Sequence, residues 1–282
     1  MSSKKLYRFI SLESFIELVD LNEEIYALPS VWKDSYEGCA LQFVDKEDNR
    51  KRFIEILVEQ YKGHENFIDA IIDNYVKAEA VRYCTFAQCW SYKKDSDALW
   101  NKFGYGNHAI QISSNENLIC RILDSQSLNY RIEKIHYDIN TKDEPNDFTR
   151  FYEKGMDFRN QFFHKRPAFR DEGEYRVIIL RDDYNLVLRK RLNTCRQSLV
   201  KQQNEGKIIT AETIFEIINE VAKKPPTQLE STLKVKVDDV SKYIKGVRVH
   251  PDAETWYVDM IKKICLKNKV NFVEKSTLYE RM

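Results

Sequence analysis

The sequence predicts an α+β domain, and three observations carry that prediction. Apolar residues alternate in short runs with a period of two and fall at helical spacing in others, with no regular strand–helix–strand alternation. At 282 residues the chain is long enough for one full hydrophobic core. Its 43% hydrophobic and 32% charged residues, with only 8 Gly and 6 Pro, exclude collagen-like and linker-rich architectures.

The elements follow in order. Residues 5–10 are aromatic and branched and read as a first strand. Ser11, or alternatively Ser14, caps a short helix whose apolar side is Phe15, Ile16, Leu18 and Val19. A second strand over 25–28 ends at Pro29, and 31–38 form a loop. Helical spacing fills about 46–82. An extended aromatic segment over 81–90, a short helix over 98–103 and a strand over 108–112 come next. Two further strands are expected at 118–123 and 130–137, then a polar loop around Pro145 and a helix over 147–163. A strongly apolar strand spans 175–180, and 185–222 read as helical until the Pro225-Pro226 pair. The chain closes with a strand at 247–249, His250-Pro251, a helix over 253–267 and a strand at 270–273. A single domain with helical insertions near 46–80 and 185–225 accommodates all of this.

The bulk charge predicts little: 45 basic residues against 44 acidic ones do not mark a protein that coats nucleic acid. The local exception is 189–207, where Arg189, Lys190, Arg191, Arg196, Lys201 and Lys207 face a single acid, Glu205. It reads either as a solvated helix face or as a phosphate-contacting patch led by Arg189, Lys190 and Arg191. No apolar run approaches the roughly 18 residues needed to cross a bilayer, so no membrane partner is expected. The N-terminus lacks the apolar core of a signal peptide. Six scattered cysteines read as reduced thiols of a cytoplasmic protein, and neither they nor the five histidines have metal-ligand spacing.

Three constellations carry candidate chemistry. Glu172 and Glu174 stand two residues apart at the entrance to a strand, among Lys165, Arg170 and Arg176. They read as a solvated turn paired with Arg170 and Arg176 or, if extended, as two carboxylates facing one cleft. Arg8 lies in an apolar strand beside Tyr7, where burial is expensive without a partner; it either snorkels from an edge or anchors an anion or amide. Asp34, Tyr36 and Glu37 follow in the loop and cap a turn or join that site. Trp100, Phe103 and Tyr105 are placed to stack on a heterocycle or to pack a core.

The order of these pieces resembles the bacterial domain-of-unknown-function family 2971. The likeness runs through Leu6-Tyr7-Arg8-Phe9, Lys33-Asp34-Ser35-Tyr36-Glu37, Ala98-Leu99-Trp100 with Tyr105, and Lys165 before Glu172-Gly173-Glu174-Tyr175-Arg176. It ends with His250-Pro251 and Ser276-Thr277-Leu278, and departs from the family pattern at Lys33 and Ser35, where Asn and Pro are expected. The motif order is also similar to that of the ADP-ribosyltransferase fold, by analogy of order alone. That resemblance implies an ADP-ribosyltransferase-like core and NAD as substrate. Arg8, Tyr7, Asp34, Tyr36, Trp100 and Tyr105 would hold the NAD, Glu174 would be catalytic, and Glu172 would position or deprotonate the acceptor. It implies a macromolecular acceptor, RNA, DNA or protein, and a bacterial toxin or antiviral effector with a neighbouring antitoxin. A non-catalytic interaction or sensor module and a nucleic-acid-processing enzyme are the alternatives.

Overall fold

The computed structural model describes residues 4–32, 34, 37–38, 47–48, 51, 55, 67–103, 105–139, 157–222 and 230–280. Most of 46–66, the loop around Pro145 and residues 147–156 of the expected helix lie outside that set.

A nine-stranded sheet divides the fold. Its strands are β1 (Lys5–Ile10), β2 (Glu23–Ala27), β3 (Thr85–Ser91), β4 (Ile110–Asn115), β5 (Asn129–Lys134), β8 (Glu174–Leu180), β9 (Thr232–Lys236), β10 (Gly246–Val249) and β11 (Phe272–Lys275). Two short parallel strands, β6 (His136–Tyr137) and β7 (His164–Lys165), stand apart. The order runs β11-β10-β4-β1-β3-β2-β9, with β8 paired to β3 and to β5. All neighbours in the large sheet are antiparallel except β10–β11. One edge of β3 pairs with β8 along its full length. Its other edge is shared, β1 bridging at Ser91 and β2 at Ala87, so the sheet forks there.

Each face of the sheet buries its own core. On one face Trp90, Tyr175, Val177 and Ile179 meet α1 (Leu12–Leu21), α4 (Glu116–Ser125) and α8 (Thr255–Lys267) through Phe15, Leu18, Ile119, Leu123, Tyr257 and Ile261. Ser11 is the N-cap of α1, its hydroxyl accepting from Ser14 N at 3.3 Å, and Asn22 closes the helix in the left-handed region. On the other face Ala87 and Ile178 meet α2 (Phe67–Cys84), α5 (Tyr184–Asn204) and α6 (Ala211–Ala222), with Phe158, Phe162 and Phe163. A third cluster, Phe9, Leu99, Trp100 and Ala109, seats α3 (Asp97–Phe103) on the sheet. A one-turn helix, α7 (Val240–Tyr243), precedes β10.

Four expectations are corrected. Residues 118–123 are not a strand but the body of α4, because Leu118, Ile119, Ile122 and Leu123 lie on one helical face behind the N-cap Asn115. The stretch 81–84 belongs to α2, and β3 begins only at Thr85. The 185–222 stretch is two helices, broken at Glu205-Gly206, where Gly206 has φ 75°. Strand β9 went unanticipated: Thr232–Lys236 buries only Val235 and lies at the sheet edge.

Candidate functional site

A charge cluster forms where β8 begins. The chain enters β8 from the 3₁₀ turn Pro167–Glu172 through Gly173, whose φ of 53° is left-handed. The Ser91 hydroxyl of β3 donates to Glu172 O at 2.7 Å, and Tyr92 N donates to Gly173 O at 3.1 Å, locking the turn to the sheet. Glu174 N donates to the Tyr137 hydroxyl at 2.7 Å. The two glutamates therefore converge because the chain folds back at Gly173; the segment between them is not the extended one that spacing alone implied.

Lys165, carried on β7, is the hub. Its ammonium lies 2.7 Å from Glu172, 3.1 Å from Glu174 and 3.2 Å from Glu37. Arg176, fully buried, donates through Nε to Glu174 at 2.6 Å and through its two terminal nitrogens to Glu37 at 2.7 and 3.2 Å. The same guanidinium donates to Phe162 O at 2.6 Å and lies 5.0 Å from the Trp32 ring. At the rim, Lys102 of α3 donates to Glu172 at 2.9 Å from a side chain that is 50% exposed. Asp34 pairs with Arg166 at 2.9 Å, and the Arg166 guanidinium lies over Phe169.

The electrostatics follow from this geometry. Burial alone would raise the Glu174 carboxyl, but Arg176 and Lys165 pull it down to about 2, so it is ionised at all ordinary pH. Burial works against the Lys165 ammonium, yet Glu174 and Glu37 outweigh it and hold that group charged. Lys165 is thus a fixed cation and no nucleophile. Burial, with Glu174 adding to it, pushes the Cys89 thiol up, away from thiolate chemistry. Three carboxylates face two buried cations, which leaves one net negative charge for the rim to balance.

Sheet register decides where the expected site residues fall. Tyr7 is opposite Ser91, and Ser91 is opposite Glu174, so these three share a face. Arg8 is therefore on the other face with Trp90 and Tyr175, in an ion pair with buried Glu24 that Gln88 also supports, donating at 2.9 Å. Arg8 and Glu174 do not converge, and the anchoring role expected for Arg8 is corrected. Trp100 is on the site's side but 0% exposed, edge-on to Phe9 at 4.8 Å and to His250 at 5.7 Å, so it packs a core instead of stacking on a ligand. Tyr7 is half-buried beside that core. Asp34 stands at the rim through Arg166. Tyr105 begins the 3₁₀ turn Tyr105–Asn107; its side chain, like all of Tyr36, lies outside the described residues. Of the basic segment, Arg189 and Lys190 are exposed, but Arg191 is 7% exposed and turned 5.1 Å from the Tyr83 ring, which removes it from the expected patch.

Lys165, Arg176 and Glu37 take the central places, although the sequence offered Arg176 only as a partner for the glutamates and Glu37 only as a turn cap or a member of the Arg8 site. The available signal was cost: a lysine directly after Phe162-Phe163-His164 needs buried partners, and three acids in the matching motifs supply them. Among the described residues no group of three His, Cys, Asp or Glu is arranged to hold a metal ion, and the five described cysteines are free. Among those residues no helix is long and apolar enough to cross a membrane.

Fold and site together define an α+β protein whose forked sheet carries a buried carboxylate–cation cluster at the start of one strand. No protein-family model matches the chain, and no curated protein matches it. Two solved structures are similar: Thermus sp. 2.9 DarT in complex with NAD+, at 5% identity and TM-score 0.37, covering 98% of this chain and 96% of that one. The other is Thermus sp. 2.9 DarT in complex with ADP-ribosylated ssDNA, at 6% identity and TM-score 0.35, covering 96% and 94%. Likeness at this level leaves the functional reading to the residues themselves.

Proposed function

We propose that this chain is an ADP-ribosyltransferase-like enzyme that cleaves NAD and transfers ADP-ribose to a macromolecular acceptor, nucleic acid or protein. The observation that carries the reading is the buried cluster of three carboxylates on two buried cations, whose remaining negative charge is met at the rim by half-exposed Lys102. Such a site favours a reacting centre on which positive charge develops. The Glu172-Gly173-Glu174 motif, which resembles the late Glu-x-Glu of the ADP-ribosyltransferase fold, supplies the substrate class.

The residues present suit NAD. Lys93, Lys102 and Arg166 at the rim match its diphosphate, Phe169 and Tyr7 offer half-buried rings, and the carboxylates match its cationic ribose–nicotinamide junction. In the proposed reaction the nicotinamide–ribose bond breaks and its electron pair neutralises the departing pyridinium. Positive charge then spreads over the ribose C1 and ring oxygen, as in glycoside cleavage. Glu174, 2% exposed, is a fixed negative charge beneath that centre, a positioning residue held by Arg176 and Lys165. Glu172, nearer solvent, is the carboxylate that meets ligand; it accepts the proton of the attacking hydroxyl or amine as the new bond to C1 forms.

The test is nicotinamide release from NAD by purified protein, with Glu172→Gln and Glu174→Gln alongside. Both variants are expected to lose on the order of 100-fold or more, since each removes a charge aimed at the transition state. Folded wild-type protein that releases no nicotinamide, with or without added nucleic acid and protein acceptors, refutes the proposal. In a bacterial host, expression is expected to slow growth only while both glutamates are intact, as a toxin or defence effector requires.

A further inference from the structure

The rim of the cluster has an asymmetry that the reaction above does not use. Glu172 divides its two oxygens between two lysines of opposite character. Oε2 is held by buried Lys165 at 2.7 Å, whereas Oε1 is held by half-exposed Lys102 at 2.9 Å. Lys102 stands on a firm base. Its helix α3 is capped through Ser96, whose carbonyl accepts from Leu99 N and Trp100 N at 3.1 and 3.0 Å, and is pinned by the buried Trp100 and by a Tyr279–Asp97 hydrogen bond. The helix is anchored, and the ammonium is carried on a half-exposed, four-carbon arm with several rotatable bonds.

A second lysine flanks the same turn. The stem of Lys93 lies along Gly173, its Cγ 2.9 Å from where a Cβ on that glycine would sit. Its ammonium donates only to Asp171 O at 2.9 Å, among the bonds described for it, and the side chain is 34% exposed. Lys93 and Lys102 thus bracket the 171–173 turn, two ammonium groups on the solvent side of an acidic cluster.

We propose that Lys102 is a two-position counter-ion: it neutralises Glu172 in the free protein and moves, with Lys93, onto the diphosphate of an incoming dinucleotide, unmasking Glu172 Oε1 as proton acceptor only once that ligand is seated. The identity of the ligand rests on the NAD reading; the diphosphate subsite itself does not. Once Lys102 leaves, Glu172 keeps one cation, Lys165 on Oε2, and its Oε1 is open to accept a proton from the acceptor group. A nicotinamide riboside, which has the scissile bond but no phosphate, leaves Glu172 masked.

The experiment is calorimetric titration of ADP, which has the diphosphate and no scissile bond, into wild type, Lys102→Met, Lys102→Arg and Lys93→Met. Each is run at the same ionic strength and at a pH where ADP is fully ionised. The expected result is a tenfold or greater loss of affinity in Lys102→Met, a smaller loss in Lys93→Met, and recovery to within about threefold in Lys102→Arg. Absence of ADP binding to wild type at millimolar concentration, or Lys102→Met binding within twofold of wild type, overturns the proposal. Nicotinamide release is read separately. Lys102-dependent ADP binding without release refutes the NAD reading alone. Release with unchanged KM and ADP affinity in Lys102→Met refutes the subsite alone.

Discussion

Replacing Lys165 by Met is expected to reverse the sign of the protein's pH dependence in mild acid. In wild type, Glu174 titrates at about 2 in the folded chain against 4.5 unfolded, since Arg176 and Lys165 overcome its burial. A folded-state value below the unfolded one adds stability above pH 4.5 and loses it as the pH falls from 4.5 towards 2. A difference of that size corresponds to about 3 kcal/mol at neutral pH, at 1.36 kcal/mol per unit. Methionine at position 165 fills much the same volume but leaves Glu37, Glu172 and Glu174 with Arg176 as their one buried cation. Breaking a buried ion network by removing one partner costs about 3–5 kcal/mol, on the order of 10 °C in Tm for a chain of this size. In the variant at least one carboxyl then titrates above its unfolded value, so protonation relieves the repulsion and stability rises as the pH falls through that value towards 4.5. The assay is urea unfolding followed by circular dichroism from pH 7.5 to 3.5. Wild type weakens below pH 4.5, while the variant starts weaker at pH 7.5 and gains between pH 7 and 5. Parallel curves, or a variant as stable as wild type at pH 7.5, refute the account of the cluster.

Four further outcomes follow from the geometry. Arg8→Met strands the buried Glu24 carboxylate and is expected to lower stability by about 3–5 kcal/mol in urea melts, while nicotinamide release per folded molecule stays at the wild-type level, because Arg8 is on the opposite face. Gly173→Ala puts a Cβ in the left-handed region and against Lys93, so a loss of about 1–2 kcal/mol from backbone strain is expected together with loss of activity as Glu172 and Glu174 part; unchanged activity would sink the convergence argument. Arg191→Ala is expected to lower Tm without altering the salt dependence of binding to labelled single-stranded RNA or DNA. Arg189→Ala with Lys190→Ala leaves Tm unchanged and flattens the salt slope if the exposed part of that segment contacts phosphate.

What could be read from the sequence followed the range of the interactions that set each feature. Strand β8 was legible because Tyr175–Leu180 is apolar on both faces, and α1 because Ser11 and the spacing of Phe15, Leu18 and Val19 are local signals. Residues 118–123 misled because a six-residue window holding two apolar pairs fits both periods; Asn115, just upstream, decides for helix. The Glu172–Glu174 pair was visible as a motif, but its partners come from positions 37, 102 and 165, which only tertiary structure brings together.

Arg8 marks the sharper limit. Both faces of β1 are largely apolar, Leu6 and Ile10 on one and Phe9 on the other, so hydrophobic alternation does not say which side Arg8 takes. A charged residue there draws attention because its burial is costly, and that cost is met by Glu24, a residue on a different strand. The face is settled by the Tyr7–Ser91 bridge with the full pairing of Ser91 to Glu174, and by the six-residue pairing with β4 that sets Arg8 opposite Ile112 of the other core. A shift of one residue in that register would exchange Tyr7 for Arg8 on the site's side. It follows that β1 reaches the cluster's face only through its odd-numbered side chains, and that Tyr7, half-buried, is the position on this strand where substitution should alter ligand handling and leave the Arg8–Glu24 pair untouched.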